Sequence, residues 1–485
     1  MELGLEMGEG MESILLQTKL NKESEIPLYQ QLADDVEQLI RQGELPPDSK
    51  LPPIRKLAHE LGVNTVTIVT AYKYLESKRM VYSRMGSGTF VSPLPIEVLP
   101  EPVARDNLRS FDIGVSFENA INFADTSPPH ELFPVDEFKR AFNEVLDREK
   151  GNAFRYTDSM GYEPLREQLC YYLADYGIKT EMGNVQIISG AQQGIDIISK
   201  AMIHYGDTVF VEKPTFYGGA GAFLSRGAKL IEVPVEEDGM QMDVLEDYLK
   251  LYHPRFIYMM AYYQTPTGYS YSMEKKRRLL ELAEKYDTYI LEEDDFYDFH
   301  YTKEPILPLK ALDYKNRVIY IKSFSKILMP GLRMGLVVLP KRILQAVVEA
   351  KYTTDNSSSG FIQKAMALYL EENSWRKHIE AMRRYGQEKY KHTLSYARKY
   401  LSGRAEFSRP QGGISLWIQL PQEIEAQAFC NRMLEKKVIL TPGSQFELSG
   451  HESNFVRLSF VGVSDEKIEV GLKRMAEMID FMLKK

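Results

Sequence analysis

Cysteine is scarce: Cys170 and Cys430 are the two thiols in 485 residues. Two cysteines make no disulfide framework, and such usage points to a reducing cytoplasm. No apolar run reaches the roughly 18 residues that a membrane span needs, so no membrane partner is expected. The 8 histidines stand without ligand spacing, so no metal site is expected. The amino terminus lacks a basic region; Glu2, Glu6, Glu9 and Glu12 there argue against a secretory signal or a transit peptide. Basic charge is also in deficit, with a net charge of −8, which taken as a sum argues against a nucleic-acid partner.

What is present changes that reading. The length exceeds one ordinary core, so two or three domains are expected. A hydrophobic fraction of 44% and a mean hydropathy of −0.32 belong to a globular chain. The charge is unevenly spread. Between Lys50 and Val91 stand Lys50, Arg55, Lys56, Lys73, Lys78, Arg79 and Arg84, against Glu60 and Glu76 alone. A basic stretch inside an acidic protein is the footprint that a phosphate backbone needs.

Residues 1–25 show no strong periodicity and read as a loose leader. From Pro27 to Gln42, Leu28, Leu32, Val36, Leu39 and Ile40 recur at helical spacing, and Gly43 closes the helix. Pro52-Pro53 opens a second helix, Ile54 to Leu61, which ends at Gly62. A third is expected over about Thr65 to Ser77, with Val66, Val69, Tyr72 and Leu75 inward. Met80–Tyr82, a turn at Gly86-Ser87-Gly88 and Thr89–Val91 then form a two-stranded wing. The order is that of a winged helix-turn-helix over residues 26–92. The words LPPIRKLA, Gly62-Val63, TVTIVTAYKYL and GSGTFV resemble the GntR family of bacterial regulators. The resemblance implies that helix 65–77 enters the major groove of an operator, with Asn64, Thr65, Thr67 and Thr70 at its base-reading end. Arg55, Lys73 and Arg84 would then hold phosphates. The family commonly has Ser-Arg after the Gly-Val turn, where this chain has Asn64-Thr65, so no operator sequence is inherited.

Pro93, Pro95, Pro100 and Pro102 lie in an aperiodic stretch that reads as a semi-stiff linker over 93–118, long enough to reach a partner subunit. Beyond it, over 119–485, buried-strand runs alternate with helical stretches: Val185–Ile188, Thr208–Val211, Lys229–Val233, Phe256–Met260, Tyr289–Leu291, Val318–Ile321 and Gly335–Val338. Such alternation predicts an α/β domain with a mostly parallel sheet and ligands at the carboxyl ends of its strands. At one such end stands Ser323-Phe324-Ser325-Lys326, with Arg333 seven residues later. A lysine held on a loop suits a Schiff base, and hydroxyls with an arginine suit a phosphate. Together they predict pyridoxal 5'-phosphate (PLP). At another strand end stands Glu293-Asp294-Asp295-Phe296-Tyr297; a buried carboxylate there would stabilise the protonated ring nitrogen.

These words resemble fold-type I aminotransferases of the aminoadipate and kynurenine branch, and with the first domain the whole chain resembles the MocR subfamily of GntR regulators. The resemblance implies a large subdomain over about 160–350 and a small one over about 351–485 with part of 119–159. It implies Lys326 as the Schiff-base lysine, Asp294 as the ring-nitrogen partner and Tyr297 on the 3-hydroxyl. Ser323, Ser325, Arg333 and the turn Gly190-Ala191-Gln192 would hold the phosphate, and Phe216 would stack on the ring. Tyr156 would reach the neighbouring subunit's phosphate, which implies a homodimer, and Arg457 would fork a substrate carboxylate. Thr265-Pro266-Thr267-Gly268 departs from the usual Asn-Pro-Thr-Gly, and Gly218 stands where some relatives carry a ligand-contacting Arg. Cofactor binding should survive both departures; turnover is in doubt. Two functions follow. One is a PLP-dependent transcriptional regulator that binds double-stranded operator DNA and senses an amino compound through an aldimine at Lys326, with DNA-binding domains that a dimer can exchange. The other is an active aminotransferase acting on an amino acid and a 2-oxo acid.

Overall fold

The computed structural model describes residues 20–484 apart from 22–23, 25, 42–43, 79, 85–86, 93–119, 303–305 and 449–452. Most of the leader, Gly43, Gly86 and the linker expected at 93–118 therefore lie outside the described residues. The chain divides into two units, Met1–Glu101 and Pro102–Lys485.

In the first unit, α1 (Leu28–Arg41), α2 (Ile54–Glu60) and α3 (Thr65–Ser77) precede the antiparallel pair β1 (Val81–Arg84) and β2 (Gly88–Val91). Leu32, Val36, Leu57, Ile68, Ala71, Leu75 and Val91 close its core. The inward face of α3 differs from the expected one. Ile68, Ala71, Tyr72 and Leu75 are buried at the helical spacing i, i+3, i+4 and i+7, whereas Val66 is 64% exposed. The run of β-branched residues in this helix hides which of them faces the core.

The second unit begins with β3 (Ile121–Asn122). Its main sheet holds β4 (Val185–Ile188), β5 (Thr208–Lys213), β6 (Lys229–Glu236), β7 (Gly239–Met240), β8 (Phe256–Met259), β9 (Tyr289–Asp294), β10 (Val318–Ser323) and β11 (Gly335–Val338). The order is β4-β11-β10-β9-β8-β5-β6-β7. The run β10-β9-β8-β5-β6 is parallel, β11 is antiparallel to both its neighbours, and β7 is antiparallel to β6. A second sheet joins β12 (Glu406–Phe407), β13 (Ser415–Gln419), β15 (Thr441–Pro442) and β16 (Phe455–Ser459), while β14 (Val438–Ile439) pairs with β3. That pairing draws Ile121 and Phe123 into one core with Leu401, Leu416, Phe429, Leu458 and Ile479.

Which face of the main sheet a side chain takes decides what it can do. Residues paired across neighbouring strands share a face, and faces alternate along each strand. Helix Ala191–Met202 covers the face that carries Ile188, Ile321 and Val337, because Gly194 lies against all three. Helix Tyr217–Ser225 covers the same face, with Phe223 edge-on to Tyr258. Ile321 pairs with Glu293, and Tyr258 pairs with Leu291 two residues before it. Lys322 pairs with Asp294 and takes the opposite face.

Candidate functional site

Lys326 follows β10, and its Nζ lies 2.6 Å from Thr126 Oγ1. Burial holds the amine below its ordinary pKa; Arg457 acts in the same direction, and Asp295, Asp125 and Glu293 oppose it. An amine of lowered pKa is a better nucleophile near neutrality. Sequence reasoning missed Asp125 and Thr126, which sit in a short loop without a word of their own. β3 brings that loop to Lys326 by pairing with β14, a contact between residues far apart in sequence.

The expected phosphate ligands converge. Gly190 takes φ +92°, and helix Ala191–Met202 starts after it with no side-chain cap, so its first N–H groups stay available to an anion. Arg333 donates from Nη2 to Ser189 O at 2.8 Å, and its guanidinium occupies the space a Cβ on Gly190 would need, 2.7 Å away. Only glycine allows that approach. Ser323 is buried on the same face as Ile321, and its Oγ accepts from Ser325 N at 3.2 Å. Gln192 donates from Nε2 to Gly218 O at 2.8 Å, which lays its side chain beside Phe216. Gly218 is thus a close approach as well: a Cβ there would meet the Phe216 ring at 2.4 Å.

Arg457, on β16, is buried with its Nη2 bonded to Ala124 O at 2.9 Å and Thr441 Oγ1 at 3.1 Å. Its Nε is buried without a partner. Burial lowers its pKa to about 10, opposed by Asp125. A buried guanidinium with a donor to spare matches a carboxylate that arrives with a ligand. Thr265 is half-buried, and its N–H donates to Met260 Sδ at 3.4 Å. The neighbouring Gln264 bonds Glu212, Pro214 O and Thr267, so the Thr-Pro-Thr-Gly segment is fixed from behind. Tyr156 is 90% exposed, and no hydrogen bond joins it to these groups among the described residues.

Asp294, at the end of β9, is bonded within a buried polar network, and Tyr297 stands beside it. Asp294 accepts from Tyr297 N at 3.0 Å, from Lys322 Nζ at 3.0 Å and from the Tyr320 hydroxyl. Lys322 also donates to Asp298 at 2.7 Å, and Tyr176 bonds Asp298 beside Tyr172. Tyr297 packs against the rings of Tyr176 and Tyr262. Along β9, Glu292 and Asp294 turn one way and Glu293 the other. Asp295, Asp125 and Glu293 are the carboxyls that act on Lys326. Asp295 Oδ1 has no partner, and Glu293 accepts from the Tyr258 hydroxyl.

In the first unit, Asn64 caps α3 by accepting Val66 N at 2.9 Å, and Thr70 donates to Val66 O at 2.8 Å. Both oxygens are therefore engaged with the helix, while Thr65 and Lys73 are exposed and Thr67 is half-buried. Arg55 is exposed on α2. Arg84 lies 5.3 Å from the Tyr82 ring and 5.4 Å from the Phe90 ring, which hold it on the wing. Exposed Val66 joins the outward stripe of α3; its methyls suit a thymine methyl.

The groups gathered at Lys326 fit PLP: an uncapped helix start with Arg333 for the phosphate, a nucleophilic amine for the aldehyde, and Arg457 with an unpartnered Nε for the carboxylate of a ligand. Residues 118–475 match the family "Aminotransferase class I and II", and residues 28–91 match "Bacterial regulatory proteins, gntR family". Aromatic-amino-acid aminotransferase 1 of Thermococcus litoralis is 30% identical over 76% of this chain and 90% of its own length. The probable rhizopine catabolism regulatory protein MocR of Rhizobium meliloti is 27% identical over 94% of each chain. The crystal structure of the alpha-aminoadipate aminotransferase of Thermus thermophilus, complexed with N-(5'-phosphopyridoxyl)-L-leucine, superposes with a TM-score of 0.73 at 29% identity, over 79% of this chain and 96% of that one. The cofactor is PLP. The chain belongs to the aminotransferase class I and II family, in the MocR-type architecture that sets a gntR-family DNA-binding domain before it.

Proposed function

We propose that this chain is a transcriptional regulator whose DNA binding responds to an amino compound recognised at Lys326. The observation that carries this reading is that one chain joins α3, with Lys73 outward, to a site holding a nucleophilic Lys326 and a buried Arg457 with an unpartnered Nε. PLP, when bound, supplies an aldehyde that amines add to and a ring that draws electrons from the neighbouring carbon. Lys326 would hold that aldehyde through its amine, where a ligand amine could replace it. Arg457 orients the ligand by its carboxylate, and Arg333 with the Gly190 turn anchors the phosphate. A homodimer completes the site, Tyr156 of one protomer reaching the phosphate cradle of its partner; its 90% exposure supports that role. A dimer would also read two operator half-sites. The coupling between ligand and DNA can be no larger than the ligand's differential affinity for the two conformations of the protein.

A second reading, a working aminotransferase, is favoured by the lowered pKa of Lys326. Once released, that amine is placed to move a proton at the ligand's α-carbon. Absorbance of the bound cofactor against a panel of amino acids, beside gel shifts on the DNA upstream of the chain's own gene, separates the two. Regulation is expected to show a ligand-dependent gel shift with at most one turnover. Multiple turnovers on one amino acid with no shift on any nearby promoter would leave only the enzyme.

A further inference from the structure

We propose that Asp125 sets the ligand's chemical class: the site favours an amino acid whose side chain carries a second, cationic amine, and Asp125 pairs with that amine. The inference rests on a ligand being recognised at Lys326, as proposed above, and narrows which ligand it is.

Three observations carry it. The first is place. The loop from Phe123 to Ser127 is tied to both ends of the ligand's site. Ser459 N donates to Phe123 O at 2.9 Å, Arg457 Nη2 donates to Ala124 O at 2.9 Å, and Lys326 Nζ lies 2.6 Å from Thr126 Oγ1. Asp125 is the residue between the one held by the guanidinium and the one held at the amine. A ligand with its carboxylate on Arg457 and its amine at Lys326 therefore spans the loop at Asp125. The loop is set before any ligand arrives: Asn122 Oδ1 accepts from the N–H groups of Ala124 at 3.0 Å and Asp125 at 3.3 Å, and Asp125 Oδ1 accepts from Ser127 N at 2.8 Å.

The second is availability. Of the carboxyls that act on Lys326, Asp125 is the exposed one. Glu293 is buried, bonded by the Tyr258 hydroxyl and pushed up to about 8 by burial first and then by Asp295. Burial pushes Asp295 up as well, and its Oδ1 is shut away from solvent. Both therefore tend to keep a proton, whereas the Ser127 N–H engages Oδ1 of Asp125 and leaves Oδ2 open. The third is charge. Burial lowers the pKa of both the Lys326 amine and the Arg457 guanidinium, and Asp125 opposes that lowering in each, so its field reaches both ends of the site. A ligand's own carboxylate answers Arg457 and leaves the charge of Asp125 over. A second ammonium on the ligand cancels it, and a second carboxylate meets repulsion.

The test titrates the full-length, PLP-loaded protein with pairs of amino acids that differ by a terminal amine, ornithine against norvaline and lysine against norleucine, and reads the absorbance of the bound cofactor. At least one diamino acid is expected to bind about 5-fold tighter than its alkyl partner, the size of one exposed ion pair, and glutamate is expected to bind more weakly than norvaline. Asp125→Asn, which keeps an acceptor for Ser127 N, is expected to remove the preference within each pair. Asp125→Glu, which keeps the charge, is expected to retain it. A wild-type protein without the preference, or a preference that Asp125→Asn leaves in place, overturns the assignment. So does a loss of affinity shared equally by both members of a pair, which would mean that Asp125 only holds the loop. A cofactor absorbance that answers to none of these amino acids overturns instead the reading of Lys326 as the ligand's site.

Discussion

The two faces of β9 carry acidic residues in strict alternation, yet they have opposite characters. On one face Asp294 sits in a bonded cluster, in which Lys322, Asp298, Tyr172, Tyr176 and Tyr320 hold one another. Just past the end of β9, by contrast, Asp295 Oδ1 and, across the site, Arg457 Nε are buried without partners. A closed network stabilises a fold, and an open one waits for a ligand. Richness in charge alone does not separate them.

Breaking the closed face should give the largest effect on stability. Lys322→Met leaves Asp294 and Asp298 buried without their cation, a loss of about 3–5 kcal/mol in unfolding free energy by urea denaturation. The open face should respond the other way. Arg457→Gln is expected to weaken carboxylate-bearing ligands about 10- to 100-fold, with cofactor uptake and melting temperature nearly unchanged. Equal weakening of ligands that lack a carboxylate would remove Arg457 from the ligand's recognition.

A subtler contrast lies in pH. Glu212, bonded to Tyr271 and Gln264, is raised by burial from 4.5 to about 8. The folded state therefore binds a proton more tightly than the unfolded chain. That stability is fully present below about 4.5 and is lost as pH rises through about 8. Glu292, raised to about 7, and Glu293, raised to about 8, act in the same sense. Melting temperature should accordingly fall across that window, and Glu212→Gln should flatten part of the slope. An unchanged slope would mean that Glu212 is ionised in the fold. The smallest effect belongs to the first unit: Lys73→Ala is expected to weaken DNA binding uniformly across sequences and to reduce the salt slope of log K by about 1. No change in the slope would place Lys73 off the phosphates.

Much of this was legible in the sequence. The strand runs Val185–Ile188 and Gly335–Val338 coincide with β4 and β11, and Ser-x-Ser-Lys with Arg333 and the Gly190 turn come together as their chemistry requires. Register was not legible. Four acidic residues in a row, Glu292 to Asp295, carry no mark of which ones face a ligand, and a shift of one residue exchanges the faces. The pairing of β9 with β10 shows which of Glu292, Glu293 and Asp294 share a face. The same kind of ambiguity misplaced Val66, where β-branched residues at neighbouring positions of α3 leave the inward stripe undefined. Asp125 and Thr126 were invisible for another reason, since a pairing of β3 with β14 brings them to Lys326.

The most direct measurement is the affinity of the PLP-loaded protein for the DNA upstream of its own gene, titrated with amino compounds while the cofactor's absorbance is followed in the same sample. At least one compound is expected to change the absorbance and shift the DNA dissociation constant about 10-fold together, a coupling of about 1.4 kcal/mol, and Lys326→Ala is expected to lose both responses. A compound that changes the absorbance and is turned over repeatedly, with DNA affinity unmoved by it and by every other compound tried, would contradict regulation through this site.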